Sequence, residues 1–225
     1  MRIRLIDDLH MEAGTKYNFR DFGEDVVVAA GDIGRPATAA RDLRAFFPNK
    51  EVIQVAGNHE YYGGDFYEIN DLLHCEAGKY GIYFLDNGTI TINTQRFVGA
   101  TFWTNHPLVA KFHIADFTYI FKHGRCFSID DAAELNKETL EFLDNTIEYE
   151  DIVVTHFMPN QLHTHPRWKG EILNAYFAND YPVYNKLWLH GHTHDWIDVP
   201  NQKCAPYGYP RENNHHDYQG MFIDI

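Results

Sequence analysis

The sequence predicts an α/β fold in which two packed mixed sheets are flanked by helices. Short apolar runs rich in Val and Ile, bounded by Gly and polar residues, are typical of buried strands. Strand-like and helix-like segments alternate early in the chain and again near its end, with hairpins between and after them. Five apolar runs carry the prediction, at residues 3–6, 26–30, 52–55, 152–154 and 187–189.

Three helices complete the predicted architecture. One is expected over residues 38–47, where Ala and Arg are frequent and Pro48 ends the helix. Another is expected over residues 65–75, where apolar residues recur at helical spacing. A third is expected over residues 130–144, with Asp130 as its cap. Hairpins are expected over 89–92 with 95–100 and over 196–199 with 203–205, and a last strand over 220–225.

Composition limits the class of protein. The 225 residues fit one domain, which we expect to span residues 1–225. The net charge of −13 argues against a nucleic-acid partner, because a phosphate backbone prefers a basic track. No apolar stretch approaches the about 20 residues of a membrane helix, and no signal peptide is expected. The three cysteines are far apart and form no C-x-x-C motif, which favours a reducing cytoplasm.

A short polar motif follows each of the five apolar runs. Ligands of open α/β sheets collect just past the carboxyl ends of strands, so we expect these motifs to meet at one edge. Their Asp, Asn and His side chains supply the oxygen and imidazole ligands that suit borderline divalent metals. The motifs are, in order, Asp8-Leu9-His10, Gly31-Asp32, Gly57-Asn58-His59-Glu60, Thr155-His156 and Gly191-His192-Thr193-His194.

These residue types and spacings suit two cations. One carboxylate can bridge two ions through its two oxygens. Two metals about 3.5–4 Å apart clamp a phosphoryl group and activate water for in-line attack. One residue separates Asp8 from His10, and one separates His192 from His194. Such residues face the same side of an extended backbone, so we expect each pair to converge on one centre.

The ordered set of motifs resembles the calcineurin-like metallophosphoesterase superfamily. It runs from Asp8 to His194 and therefore covers most of the chain. Each motif alone is weak, whereas the ordered set is specific. The resemblance implies a four-layer αββα sandwich, two bound divalent cations (Mn²⁺, Fe or Zn²⁺) and hydrolysis of phosphate esters.

The resemblance also implies roles for individual residues. Asp32 would bridge the cations, with a metal-bound hydroxide between them as the nucleophile. His59 would protonate the leaving oxygen without binding metal. We interpret Glu60 as a carboxylate that orients the ligands and not as a base. One cation would be held by Asp8, His10, Asp32 and His194, and the other by Asp32, Asn58, His156 and His192.

Two missing arginines indicate the substrate class. Protein phosphatases of the superfamily carry an arginine in the extended G-D motif and another in the G-N-H-E motif. Here Pro36 and Tyr62 occupy those positions, and Arg35 lies one residue early. A phosphomonoester carries about two charges and gains from bidentate arginine, whereas a diester carries one. We predict a small phosphodiester as substrate, with a protein phosphatase, a nuclease and a metal-free scaffold as alternatives.

Residues 102–128 are dense in aromatic residues and histidines, and they separate the third motif from the fourth. We interpret them as a candidate insertion at the substrate cleft, with Trp103 and His106 as candidate substrate contacts. Ordinary core packing is the alternative. A D-F-x-x-I stretch beginning at Asp116 loosely matches bacterial phosphoesterases of unassigned substrate in the superfamily.

Overall fold

A computed structural model describes residues 1–105, 113–212 and 217–225. The helices in this part of the chain are α1 (Ala39–Phe46), α2 (Phe66–Tyr80), α3 (Asp116–Tyr119), α4 (Ile129–Thr146) and α5 (Asn174–Phe177). The strands are β1 (Arg2–Ile6), β2 (Val26–Ala30), β3 (Glu51–Val55), β4 (Tyr83–Phe84), β5 (Gly88–Ile92), β6 (Gln95–Ala100), β7 (Phe121–Lys122), β8 (Arg125–Cys126), β9 (Ile152–Thr155), β10 (Leu187–His190), β11 (Ile197–Val199), β12 (Gln202–Cys204) and β13 (Met221–Asp224).

Both large sheets are mixed, as predicted. The first has the strand order β13-β1-β2-β3-β4, in which only β13 is antiparallel to its neighbour. The second has the order β11-β12-β10-β9-β6-β5. Its four central strands are parallel, and β11 and β5 pair antiparallel at the two edges. The parallel strands of each sheet therefore bring their carboxyl ends to one edge.

The side chains of β2 alternate between two cores. Val28 packs with Val154 of β9 in the cluster that fills the space between the sheets. Val27 faces the other way and packs with Leu43 of α1. Helix α4 covers the outer face of the second sheet in the same manner. Because both faces of each sheet are covered, central strands such as β2 and β9 are almost entirely apolar, and the four-layer sandwich is confirmed.

The predicted helices are present with different ends. Helix α2 continues five residues past its predicted end, until Gly81 stops it in a left-handed conformation with φ of 64°. Helix α4 begins earlier than predicted, and its cap is Ser128. The Ser128 side chain accepts from the Asp131 N–H, and the Asp131 carboxylate accepts from the Ser128 N–H. The predicted cap at Asp130 was therefore wrong by two residues.

None of the helices in the described residues has both the length and the apolar character needed to cross a bilayer.

Candidate metal centre

The five polar motifs meet where β1, β2, β3, β9 and β10 end. The His192 N–H donates to Asp8 Oδ2 at 2.9 Å, which ties the second sheet to the first. Two glycines allow a close approach of the loops. A Cβ at Gly31 would lie 2.4 Å from His156 Nδ1, and one at Gly57 would lie 2.1 Å from Asp32 Oδ1. Any larger residue at these positions would displace a ligand side chain.

The candidate ligand residues at the strand ends have an unusual backbone. Left-handed conformations cost non-glycine residues about 1–2 kcal/mol each, and they concentrate at functional sites. The loops therefore hold strain that turns the side chains inward. The residues concerned, with φ in parentheses, are Asp8 (51°), His10 (45°), Asp32 (52°), His192 (69°) and His194 (50°).

The side chains form two main clusters, each with ring nitrogens and carboxylate oxygens within 4.8 Å of one another. The outer cluster is Asp8, His10 and His194. The inner cluster is Asp32, His156 and His192. Asp8 and His10 share the outer cluster, as their spacing predicts, whereas His192 and His194 fall in different clusters, as the family resemblance implies. The backbone is left-handed at all four residues, so the two-residue alternation of an extended strand does not apply to either pair.

Asp32 lies between the clusters. Its Oδ2 is 3.8 Å from His10 Nε2 of the outer cluster and 3.5 Å from His156 Nε2 of the inner cluster. Asn58 joins the inner cluster through its Oδ1, which is 3.2 Å from His156 Nε2. A carboxylate at this position could contact a cation held by either cluster.

The unpaired nitrogens of the site fit divalent cations. His10 Nε2 faces His194 Nε2 at 3.1 Å, and His192 Nδ1 faces His156 Nε2 at 3.2 Å. Among the described residues, the buried His192 Nε2 has no hydrogen-bond partner. Two imidazole nitrogens that face one another need a proton or a cation between them. The donor set of nitrogen and oxygen suits Mn²⁺, Fe or Zn²⁺.

Charge pairing opposes burial in these clusters. Burial by itself would raise the pKa of Asp8 and lower that of His194. Their mutual attraction is stronger, so the pKa of Asp8 falls below its usual range and that of His194 rises to about 11. Burial holds the pKa of His192 well below its usual value. Asp8 is therefore ionised and His192 is neutral, whereas a cation bound by His194 would displace its ring proton.

His59 lies at the rim of the clusters with both ring nitrogens engaged. Its Nδ1 donates to Glu12 Oε1 at 3.2 Å, and its Nε2 lies 3.0 Å from the Tyr209 hydroxyl. Burial lowers the pKa of His59, but Asp32 and Glu12 raise it to about 9. His59 also falls within 4.8 Å of ligand atoms of His10 and Asp32, so distance alone would admit it as a ligand.

Glu60 is fully buried and holds the loops together, as its predicted orienting role requires. Its carboxylate accepts from the N–H groups of Asp32 at 3.0 Å, Ile33 at 2.7 Å and Gly57 at 2.7 Å. These bonds fix the G-D and G-N-H-E loops relative to each other. Burial and the nearby Asp32 charge raise the pKa of Glu60 to about 8.

Sequence reasoning missed three residues that support the site. Glu12 Oε1 accepts from His10 Nδ1 at 3.0 Å, and Glu212 Oε2 accepts from His194 Nδ1 at 2.6 Å. The Tyr209 ring stacks on His10 with 4.4 Å between ring centroids. Of the three, only Glu12 could have been suspected from the sequence, because it lies two residues after His10. Tyr209 is close to 200 residues from His10, and Glu212 follows His194 by 18 residues, beyond the hairpin of β11 and β12.

A cleft of about 490 Å³ opens beside both clusters. Residues 113–116 line it, so part of the predicted insertion does reach the cleft. The far wall comes from the connection between β9 and β10. Residues from this wall include His163, His165, Arg167, Trp168 and Phe177.

The prediction that Trp103 contacts the substrate was wrong. Its side chain is only 2% exposed and does not line the cleft. It packs against Phe127 and Phe157, with ring centroids 5.2 and 5.4 Å away. A large aromatic side chain gains more from filling this core than from facing water. His106, the other predicted contact, lies outside the described residues.

The comparisons with known proteins agree with this geometry. The fold is similar to the crystal structure of phosphopantetheinyl hydrolase from Mycobacterium tuberculosis, with a TM-score of 0.73 and 17% identity. The alignment covers 99% of this chain and 95% of that one. No curated protein sequence matches the chain. Residues 1–196 match the sequence profile of calcineurin-like phosphoesterases. The chain therefore belongs to the calcineurin-like phosphoesterase family and is a metal-dependent phosphoester hydrolase.

Proposed function

We propose that the protein hydrolyses small phosphodiesters at a centre that holds two divalent cations. One observation carries the proposal: Asp32 of the inner cluster also approaches His10 of the outer cluster, and both clusters lie beside the same cleft. The proposed ligands of one cation are Asp8, His10, Asp32 and His194. The proposed ligands of the other are Asp32, Asn58, His156 and His192.

The chain's own residues would orient the ester and the cations. Bound cations would offset the charge of the phosphoryl oxygens and acidify a water for attack on phosphorus. Asp32 would fix the two cation positions relative to each other, since its Oδ2 faces both clusters. The carboxylates of Glu12 and Glu212 fix the ring orientations of His10 and His194.

We propose His59 as the acid that protonates the leaving oxygen. Its bond to Glu12 fixes the ring so that Nε2 points toward Tyr209 on the cleft side. The raised pKa of about 9 keeps the ring protonated at neutral pH. Bound cations would offset the charge of Asp32 and bring that pKa closer to neutrality, which favours proton transfer.

The charge of the cleft supports a diester over a monoester. Of the described residues that line the cleft, Arg167 is the one arginine, and its Nη2 pairs with Asp195 Oδ1 at 2.5 Å. Arg35 is exposed and does not line the cleft. A phosphate dianion would therefore lack the free guanidinium that usually binds it. A phosphodiester has one charge fewer to neutralise.

The size of the cleft supports a small ester. A volume of about 490 Å³ lies within the range of small-molecule pockets. The name of the similar hydrolase adds phosphopantetheinyl esters to the substrates worth testing. The predicted cytoplasmic location stays a prediction.

A substrate panel tests the proposal. Full-length enzyme loaded with Mn²⁺, Fe²⁺ or Zn²⁺ would be assayed on bis-p-nitrophenyl phosphate, p-nitrophenyl phosphate, a phosphoserine peptide, single-stranded DNA and a phosphopantetheinyl protein. We expect the highest kcat/KM on a small diester or the phosphopantetheinyl ester. Dominant activity on the phosphopeptide would favour a protein phosphatase, and dominant activity on DNA a nuclease. The Asp32→Asn variant, prepared in parallel, reports any contaminating activity.

A further inference from the structure

We propose that Asp116 is a positioning residue that turns the amide oxygen of Asn58 toward the inner cluster. Asp116 begins α3, at the start of the D-F-x-x-I stretch, and has no role in the proposed function so far. The inference rests on the proposed assignment of Asn58 as a cation ligand. It adds a determinant of cation affinity that lies outside the ligand set.

Three side chains form a closed triangle of hydrogen bonds. Asn58 Nδ2 donates to Asp116 Oδ1 at 2.9 Å and to the Tyr62 hydroxyl at 3.2 Å. The Tyr62 hydroxyl donates to the same Asp116 oxygen at 2.6 Å. Both acceptors of the Asn58 amide nitrogen therefore lie on the side away from the inner cluster. Its Oδ1 is left to face His156 Nε2 at 3.2 Å.

The orientation of this amide decides whether Asn58 can bind a cation. The amide oxygen has lone pairs and the amide nitrogen has only donors. A half-turn about the last side-chain bond would direct N–H groups at the inner cluster and repel a cation. Asp116 makes that half-turn unfavourable, because a buried carboxylate would lose its N–H partner.

Packing holds Asp116 in place. The side chain is fully buried, although it begins a helix only four residues long. Phe117 and Ile120 of the same stretch pack into the aromatic core cluster. Backbone bonds tie α3 to the loop that follows the G-N-H-E motif, from Gly63 N to Tyr119 O at 2.7 Å. The carboxylate therefore has little freedom to move away from Asn58.

Cation binding by matched variants tests the inference. Mn²⁺ would be titrated by calorimetry into the full-length wild type, Asp116→Ala, Asp116→Asn and Tyr62→Phe. Asn58→Ala identifies which of the two binding constants belongs to the inner position. Electron paramagnetic resonance would report whether the two Mn²⁺ ions remain spin-coupled.

We expect Asp116→Ala to weaken Mn²⁺ binding at the inner cluster by about 10- to 100-fold, the usual effect of losing a residue that hydrogen-bonds a metal ligand. Mn²⁺ binding at the outer cluster should stay unchanged. Asp116→Asn keeps an acceptor oxygen and should recover part of the affinity. Tyr62→Phe removes the weaker bond to Asn58 while keeping the ring, so its effect should be smaller. The signal of two spin-coupled Mn²⁺ ions should give way to that of single ions most fully in Asp116→Ala and less in the other two variants.

A control variant separates positioning from general destabilisation. Asp151 is also buried, bonds Arg96 at 2.6 Å and lies beside the amino end of β9, opposite to His156. Asp151→Ala should lower the melting temperature and leave both Mn²⁺ constants unchanged. If it weakens the inner constant as much as Asp116→Ala does, the inference is overturned.

Two results distinguish failure of the inference from failure of the proposed function. If the wild type binds fewer than two ions, the ligand assignment itself fails. If it binds two and the Asp116 variants keep its inner constant, only the positioning role fails. Should Asp116→Ala not fold, unchanged inner constants in both Asp116→Asn and Tyr62→Phe would reject the inference.

Discussion

The outer cluster keeps its histidines in place with side-chain carboxylates, whereas the inner cluster uses the backbone and packed rings. In the outer cluster, His10 donates to Glu12 and His194 donates to Glu212. Neither carboxylate is buried: 27% of the Glu12 side chain and 49% of the Glu212 side chain are exposed. The outer cluster therefore depends on partners at the protein surface.

The histidines of the inner cluster are held by groups inside the protein. His156 donates from Nδ1 to the Ala30 carbonyl at 2.9 Å. The His192 ring lies 4.1 Å from the Phe157 ring and 4.9 Å from that of Phe177, measured between centroids. Its orientation is thus set by strand ends and by core packing.

The difference shows two ways of positioning the same ligand type. Surface carboxylates can be removed without disturbing the sandwich. We therefore expect single substitutions to change the cation affinity of the outer cluster without affecting folding. The inner cluster shares its supports with the core, and a change there affects folding as well. The next four predictions test this contrast, from the largest expected effect to the smallest.

Asp32→Asn should weaken both clusters together. Asp32 Oδ2 faces His10 on one side and His156 on the other, so the loss of its charge removes a ligand from both. Loss of a residue that only hydrogen-bonds a metal ligand lowers cation affinity by about 10- to 100-fold. We expect Asp32→Asn to lower the affinity for both cations by more than this. A Mn²⁺ titration measures this. Asp8→Asn is the matched control and should weaken the outer cluster alone. Loss of only one constant in Asp32→Asn would argue against a bridge.

His59→Ala should separate chemistry from cation binding. We expect both cations to stay bound and kcat to fall by about 10²- to 10⁴-fold, the usual contribution of a general acid. The loss should shrink for a leaving group such as p-nitrophenolate, which needs little protonation. The assay compares that ester with an alkyl ester, beside elemental analysis of the protein. A variant that arrives with one cation missing would make His59 a ligand.

Glu212→Gln should affect the outer cluster alone. The substitution removes the charge that holds His194 Nδ1 at 2.6 Å, and the exposed carboxylate has no other partner in the inner cluster. The outer constant should weaken by about 10-fold, the lower end for such partners. Calorimetric titration resolves the two constants. An equal weakening of both would show that the clusters are not independent.

Asp131→Asn should leave both clusters unchanged and lower the stability of the fold. It keeps an acceptor for the Ser128 N–H but removes the charge that strengthens this bond and pairs with Arg125, a loss of about 1 kcal/mol. Burial raises the pKa of Asp131, but bonds from Arg125 and Ser128 lower it well below its usual range. The wild type should therefore keep this contribution above about pH 4 and lose it progressively at lower pH. Melting temperatures against pH should converge for the two proteins in acid.

Much of the fold and the candidate ligand set could be predicted from the sequence. The strand β2 lies at its predicted residues, and the hairpin of β5 and β6 differs by one residue. Such segments depend on local alternation and turn residues, which a single sequence contains. The sulfur-free ligand motifs could also be found because each directly follows a strand.

Other features depend on segments that are distant in the chain. Trp103 became core because Phe127 and Phe157 fold against it, and no pattern around residue 103 records those neighbours. The partners Glu212 and Asp116 reach His194 and Asn58 only through the packing of separate loops. Isolated carboxylates are common in any acidic chain, so they carry no signal of their own.

The sequence by itself determined where the strands end and which side chains follow them, because strand formation and the order of the motifs are local properties. The tertiary structure decided how those side chains divide between two clusters. His192 and His194 separate because they meet different partners, His156 for the first and His10 for the second, on a loop that is left-handed at both residues. That strained backbone persists only because bonds from both sheets hold it, among them the one from the His192 N–H to Asp8.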